Sequence, residues 1–138
     1  MSAPPEWSAP SWVVTAEPLV AYAARKSVRL ASLLRTAVDN RFLVVTSINA
    51  LVEAYAATYP ADRYLLDALA TGEFASVLYV APLDDVPSAR EVGIAAHHPA
   101  GVDAANAHAA SLAREYDAAV LGGTPELRAL LGDDWPTY

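Results

Sequence analysis

A chain of 138 residues suits one domain with a single core, and its 54% hydrophobic and 18% charged content is globular rather than disordered. The absence of cysteine excludes a disulfide framework and a thiolate zinc site, and a net charge of −7 opposes strong non-specific nucleic-acid binding, which relies on neutralising phosphates with Lys and Arg. The longest apolar stretches, 77–82 and 94–96, fall far short of the ~18 residues that a membrane span needs, so no membrane association is expected.

In chain order, MSAPPEWSAPSW has neither a positive n-region nor an apolar h-region, and residues 1–11 read as a short Pro-rich arm rather than a secretory signal. The default compartment is the cytoplasm. Residues 12–138 form the expected domain. Trp12 to Thr15 is an apolar, β-branched run suited to a buried strand, and Pro18 opens a helix at an N1-like position. Val28, Leu30, Ala31, Leu33, Leu34 and Val38 recur at helical spacing, which predicts an amphipathic helix ending near Asn40. Phe42 to Val45 is extended, and Thr46 or Ser47 caps a helix from Ile48 to about Thr58 that carries Glu53.

Pro60 starts a further helix with Tyr64, Leu65, Ala68 and Leu69 as its apolar stripe, stopped by Gly72. Val77 to Ala81 is the clearest strand. Asp84 or Ser88 is the expected cap of a helix running to about Ala96, which His97-His98-Pro99 breaks. A long helix follows Gly101, with Val102, Ala105, Ala109, Leu112 and Ala113 inward, and Ala118 to Leu121 follows as a strand. Thr124-Pro125 is a cap-plus-N1 pair for a last helix to Leu131, ended by Gly132. This alternation of strands and helices predicts an α/β domain with a largely parallel sheet, helices on both faces, and function at the C-terminal strand ends.

Five of the nine basic residues, Arg25, Lys26, Arg29, Arg35 and Arg41, fall between 25 and 41. They read either as a solvated helix face, with arginine stems lying over apolar surface, or as a nucleic-acid patch. His97 and His98 are adjacent, a spacing that does not put two imidazoles on one helix face for a metal, and His108 reads as a packing or surface histidine. Ser47, Ser76 and Ser111 lack a nucleophile elbow. Gly122-Gly123-Thr124 is too short for a phosphate loop, although a strand followed by Gly-Gly-Thr-Pro leaves free backbone N–H groups that could hold an anion.

Three segments carry a resemblance. VVTAEPLVAYAARKSVRLASLL resembles the opening of VapC-like PIN-domain proteins, where a strand ends in Asp, then a small residue and an apolar helix; TSINALVEAYA resembles the segment bearing that family's helix Glu. GVDAANAHAASLAREYDAAVLGGTPELRALLG resembles its C-terminal half, in which an Asp opens a long helix and a Thr-x-Asp turn follows a strand. The resemblance runs from Trp12 onwards and implies a three-layer fold with a mostly parallel sheet and a Mg²⁺- or Mn²⁺-dependent ribonuclease centre. Glu53 then takes the family's helix Glu and Asp103 the long-helix Asp, whereas Thr15 stands at the first-strand Asp and Thr124 at the turn Asp.

Two threonines in place of two carboxylates remove two negative charges from a site that must hold a hard dication against water, so Mg²⁺ binding is expected to be weak or absent. Glu17, two residues past Thr15, is a candidate substitute. Without the resemblance, Glu53 reads as an ordinary solvated helix residue and Asp103 as an acid favoured at a helix N-terminus. The expectation is a PIN-like protein whose nuclease activity is impaired or lost and which acts by binding protein or RNA. The alternative is an active ribonuclease toxin using Glu53, Asp103 and Glu17. The family's habits imply a homodimer and an antitoxin-like protein partner.

Overall fold

The computed structural model describes residues 11–72, 74–97 and 101–138. Strands β1 (Ser11–Val14), β2 (Leu43–Ser47), β3 (Leu78–Ala81) and β4 (Ala119–Leu121) form one sheet, all parallel, in the order β3-β2-β1-β4. A parallel sheet covered on both faces needs strands that are apolar on both sides, which is what Trp-Val-Val and Val-Val supply in the central pair.

Alternation along each strand then splits the core. Trp12, Val14, Val44, Leu78 and Leu121 pack on one face with residues of α1 (Ala16–Ala23), α2 (Arg29–Asn40), α3 (Ile48–Ala57) and α4 (Arg63–Thr71). Val13, Val45, Ala81 and Val120 pack on the other with α5 (Val86–Ala96), α6 (Ala104–Tyr116) and α7 (Pro125–Leu131). The architecture is the expected α/β one, a parallel sheet between two helical layers. Among the described residues no helix is long and apolar enough to cross a membrane.

Several boundaries differ from expectation for local reasons. Helix α1 starts at Ala16 with Thr15 at its N-cap position, so Pro18 lies in the first turn, where backbone N–H groups have no partner within the helix and proline is tolerated. The chain after Tyr59 makes a 3-10 turn at Pro60–Asp62 before α4 begins. That places Leu66 and Leu69 inward and leaves Tyr64 exposed, where its hydroxyl accepts from Arg25. Asp85, rather than Asp84 or Ser88, caps α5 by accepting from the Ser88 N–H at 2.8 Å. Ser11 belongs to β1 and not to an arm, and its hydroxyl donates to the Tyr116 carbonyl at 2.9 Å. The rest of the proposed arm, and His98-Pro99, lie outside the described residues.

The C-terminal segment supplies an element that periodicity did not announce. The Val120 N–H donates to the Pro136 carbonyl at 2.9 Å, and the Tyr138 N–H donates to the Val120 carbonyl at 2.8 Å. The Trp135 indole N–H donates to the Ala118 carbonyl at 2.8 Å. The segment thus runs beside β4 and satisfies the outer edge of a three-residue strand that would otherwise present unpaired backbone groups.

Much of the basic stretch is committed within the fold. Arg25 pairs with Asp62 at 3.0 Å, the Arg29 guanidinium donates to the Tyr138 carbonyl, and Arg35 lies 6.0 Å from the Phe74 ring centroid. These contacts fit the structural reading of the stretch better than a free cationic face.

Candidate functional site

The chain steps outward from β1 to β2 to β3, then returns to place β4 on the other side of β1. After β1 it enters the α1 layer, and after β4 it enters the α7 layer, so the connections diverge above the C-terminal ends of two adjacent strands. Ligand crevices of open parallel sheets lie at such a switch point. Here a cleft of about 180 Å³ opens, lined by Thr15, Glu17, Glu53, Asn106, Gly123 and Thr124.

Each lining residue is held by the element that ends or begins there. Thr15 is 4% exposed, its N–H donates to the Leu121 carbonyl at 3.2 Å, and its hydroxyl reaches the same oxygen at 3.4 Å. The backbone turn from β4 is made by Gly122 in the left-handed region at φ 78°. Thr124 caps α7, its hydroxyl oxygen accepting from the Leu127 N–H at 3.1 Å. Asp103 caps α6, accepting from the N–H of Asn106, a residue that lines the cleft, at 2.8 Å. Ser47, likewise, caps α3 by accepting from the Ala50 N–H at 2.9 Å.

Electrostatics tie the two acids together. Desolvation pushes the Glu53 carboxyl above its ordinary range, and the negative charge of Asp103 adds to the shift. The folded chain therefore holds this proton more tightly than the unfolded one, and Glu53's contribution to stability declines as pH rises through that interval. Asp103→Asn is expected to lower the Glu53 pKa while leaving the part due to burial, as carboxyl-carbon NMR titration would record; an unchanged pKa would mean that the two acids do not interact. The same carboxylate has a separate capping role. Asp103→Ala is expected to cost about 1 kcal/mol in denaturant unfolding, and Asp103→Asn only a few tenths at most, because asparagine caps about as well as aspartate.

Thr15, Glu17, Glu53 and Thr124 line one cleft; Asp103 is not among the lining residues, but its charge reaches Glu53 and it caps the helix whose Asn106 lines the cleft. Asn106 was missed, although its spacing three residues after an N-cap acid is a local signal. His108 is elsewhere, buried on α6 and lining a different cleft. His97 follows the last turn of α5.

The donor set for a dication is two neighbouring carboxylates, one of which already accepts from a backbone N–H, with the Asn106 amide beside them. Among the described residues, no three His, Cys, Asp or Glu side chains gather as metal ligands would. Mg²⁺ or Mn²⁺ held here would take Glu53, Asp103 and the Asn106 amide as protein ligands and complete its shell with water, with Glu17 on the same wall. Fold and cleft together define an α/β protein with a crevice at the crossover of a parallel sheet. Comparison with protein-family models gives no match, and comparison with the curated proteins gives none either.

Proposed function

We propose that the chain is a PIN-type nuclease domain with a degenerate metal site, impaired or inactive as a ribonuclease, which acts through binding. The observation that carries this reading is the convergence of Glu53 and Asp103 with Thr15 and Thr124 above adjacent parallel strands. The two threonine hydroxyls, which reach the Leu121 carbonyl and accept from the Leu127 N–H respectively, are neutral, so neither restores the negative charge of a carboxylate. A dication lowers the pKa of bound water and neutralises charge on a phosphodiester, and with threonine at two of the positions where the resemblance expects carboxylates the site carries two fewer negative charges to hold it.

A protein partner fits this reading better than RNA, because three of the clustered arginines are committed to contacts within the fold. Ile48 and Val52, one turn apart on α3, with Tyr59 and Tyr64 beyond, expose apolar surface suited to a second copy or to a small antitoxin-like protein. A cytoplasmic setting belongs to the same proposal. One observation favours an active enzyme instead: Glu17 lines the same cleft as Glu53, which would make a third carboxylate for Mg²⁺.

Incubation of wild type and Asp103→Asn with single-stranded RNA and Mn²⁺ decides between the two. The pseudo-nuclease reading predicts no metal-dependent cleavage by either protein. Cleavage by wild type that falls at least a hundredfold in Asp103→Asn, a variant that retains its cap, would establish the active enzyme.

A further inference from the structure

A second cleft, of about 490 Å³, lies on the opposite layer from α1, between α5 and α6 beside the end of β3. Its walls follow from helical spacing. On α6, His108, Ser111, Leu112 and Glu115 recur at i, i+3, i+4 and i+7 and form one stripe; on α5, Ser88, Glu91 and Val92 form the facing one. Leu112 and Val92 make the apolar floor, and the polar members of both stripes rise above it.

The lining is strongly asymmetric in charge. Four carboxylates, Asp84, Asp85, Glu91 and Glu115, stand against one guanidinium, that of Arg114, which is drawn aside to donate to the Leu130 carbonyl at 2.7 Å. Asp85 is occupied by the Ser88 N–H and hydroxyl, which leaves Asp84, Glu91 and Glu115 exposed along the opening. Tyr79 and Tyr116 add aromatic surface to the same walls, and Tyr116 lies near both Glu115 and Tyr79, whose proximity adds to desolvation in pushing its phenol up.

An independent feature marks the cleft as more than an acidic patch. His108 lines it at 4% exposure, and among the described residues its Nδ1 has no hydrogen-bond partner, a condition that costs free energy in a buried polar group. Burial lowers the pKa of this imidazole, with Glu115 opposing, so the ring is predominantly neutral at pH 7 and one of its nitrogens is an acceptor. The acids do not gather as ligands of a single ion among the described residues. Spread carboxylates, aromatic faces and a buried acceptor suit a donor-rich organic cation rather than a metal ion.

We propose that the α5–α6 cleft binds an organic cation bearing ammonium or guanidinium groups, held by Asp84, Glu91 and Glu115 against Tyr79 and Tyr116, with His108 at its base. The cation is either a free polyamine or a basic side chain of a peptide. This site is separate from the β1–β4 cleft and does not depend on how that cleft is read.

Titration calorimetry with spermidine and with a tetra-arginine peptide tests it, using two double variants that change net charge equally. Glu91→Gln/Glu115→Gln removes charge from the cleft, while Asp133→Asn/Asp134→Asn removes it from the C-terminal segment. Saturable one-to-one binding is expected for at least one probe, weakened roughly tenfold by the first pair and under twofold by the second. Binding of spermidine alone would identify a free polyamine and binding of the peptide alone a basic side chain, and either supports the site. Equal weakening by both pairs would show general attraction to an acidic protein, and absence of saturable binding by both probes would equally overturn the proposal. Because all four substituted side chains are exposed, the fold is expected to persist, as circular dichroism would verify.

Discussion

Gly122→Ala is expected to destabilise the protein by about 3 kcal/mol, a large part of the roughly 5–15 kcal/mol that holds a domain of this kind together. Two effects add. Gly122 has φ 78°, a conformation that costs an L side chain roughly 1–2 kcal/mol. A Cβ there would also stand 2.5 Å from two Pro18 ring carbons and 2.6 Å from the Thr15 hydroxyl oxygen. Pro18 is a rigid ring in the first turn of α1, so relief requires moving the helix, and overpacking of this kind costs roughly 1–3 kcal/mol. The displacement would carry Thr15 and Glu17 with it and change the shape of the β1–β4 cleft. Urea unfolding measures the loss; a change below about 0.5 kcal/mol would mean that β4 and α1 do not approach as described.

Trp12→Ala is expected to cost about 3–5 kcal/mol, the range for deleting a large aromatic side chain from a close-packed core. Trp12 is fully buried on β1, flanked by β2 and β4, and belongs to the cluster that joins the sheet to α1, α2, α3 and α4. Its ring also lies 5.4 Å from that of Tyr138, so the cavity would loosen the C-terminal segment on the β4 edge. A matching substitution at Val28, which is 78% exposed, should change stability by no more than about 0.5 kcal/mol. Comparable losses at both positions would contradict the placement of the core.

Local chemistry made much of this fold readable. The strands announced themselves because a parallel sheet buried on both faces must be apolar on both, and Trp12–Val14 and Val44–Val45 have no other economical use. Ser47 and Thr124 were recognisable as caps because the bond that a cap makes lies within a few residues. The register of α4 was not recognisable, since Tyr64, Leu65 and Leu66 offer three consecutive candidates and only the sheet beneath selects Leu66. The edge role of residues 135–138 was hidden because main-chain hydrogen bonds, largely indifferent to side-chain identity, carry much of it.

The two clefts divide along the same line. Glu53 and Asp103 are distant in the chain, and periodicity places each on a helix without giving a reason for them to meet; their proximity follows from the packing of α3 beside the N-terminus of α6. The α5–α6 cleft is the same case. His108 reads as a packing or surface residue, and it is buried, but that its Nδ1 has no partner among the described residues is visible only when α5 is seen against α6.

On the proposed reading, the β1–β4 cleft keeps the place of a dication site while lacking two of its carboxylates. Calorimetric titration of Mn²⁺ into wild type and into Thr124→Asp, a change at an exposed position that retains a capping side chain, is the decisive measurement. The predicted result is no saturable binding by wild type below ~1 mM and a gain of at least tenfold in affinity for the variant. One Mn²⁺ bound by wild type at micromolar affinity and lost in Glu53→Gln would contradict the claim.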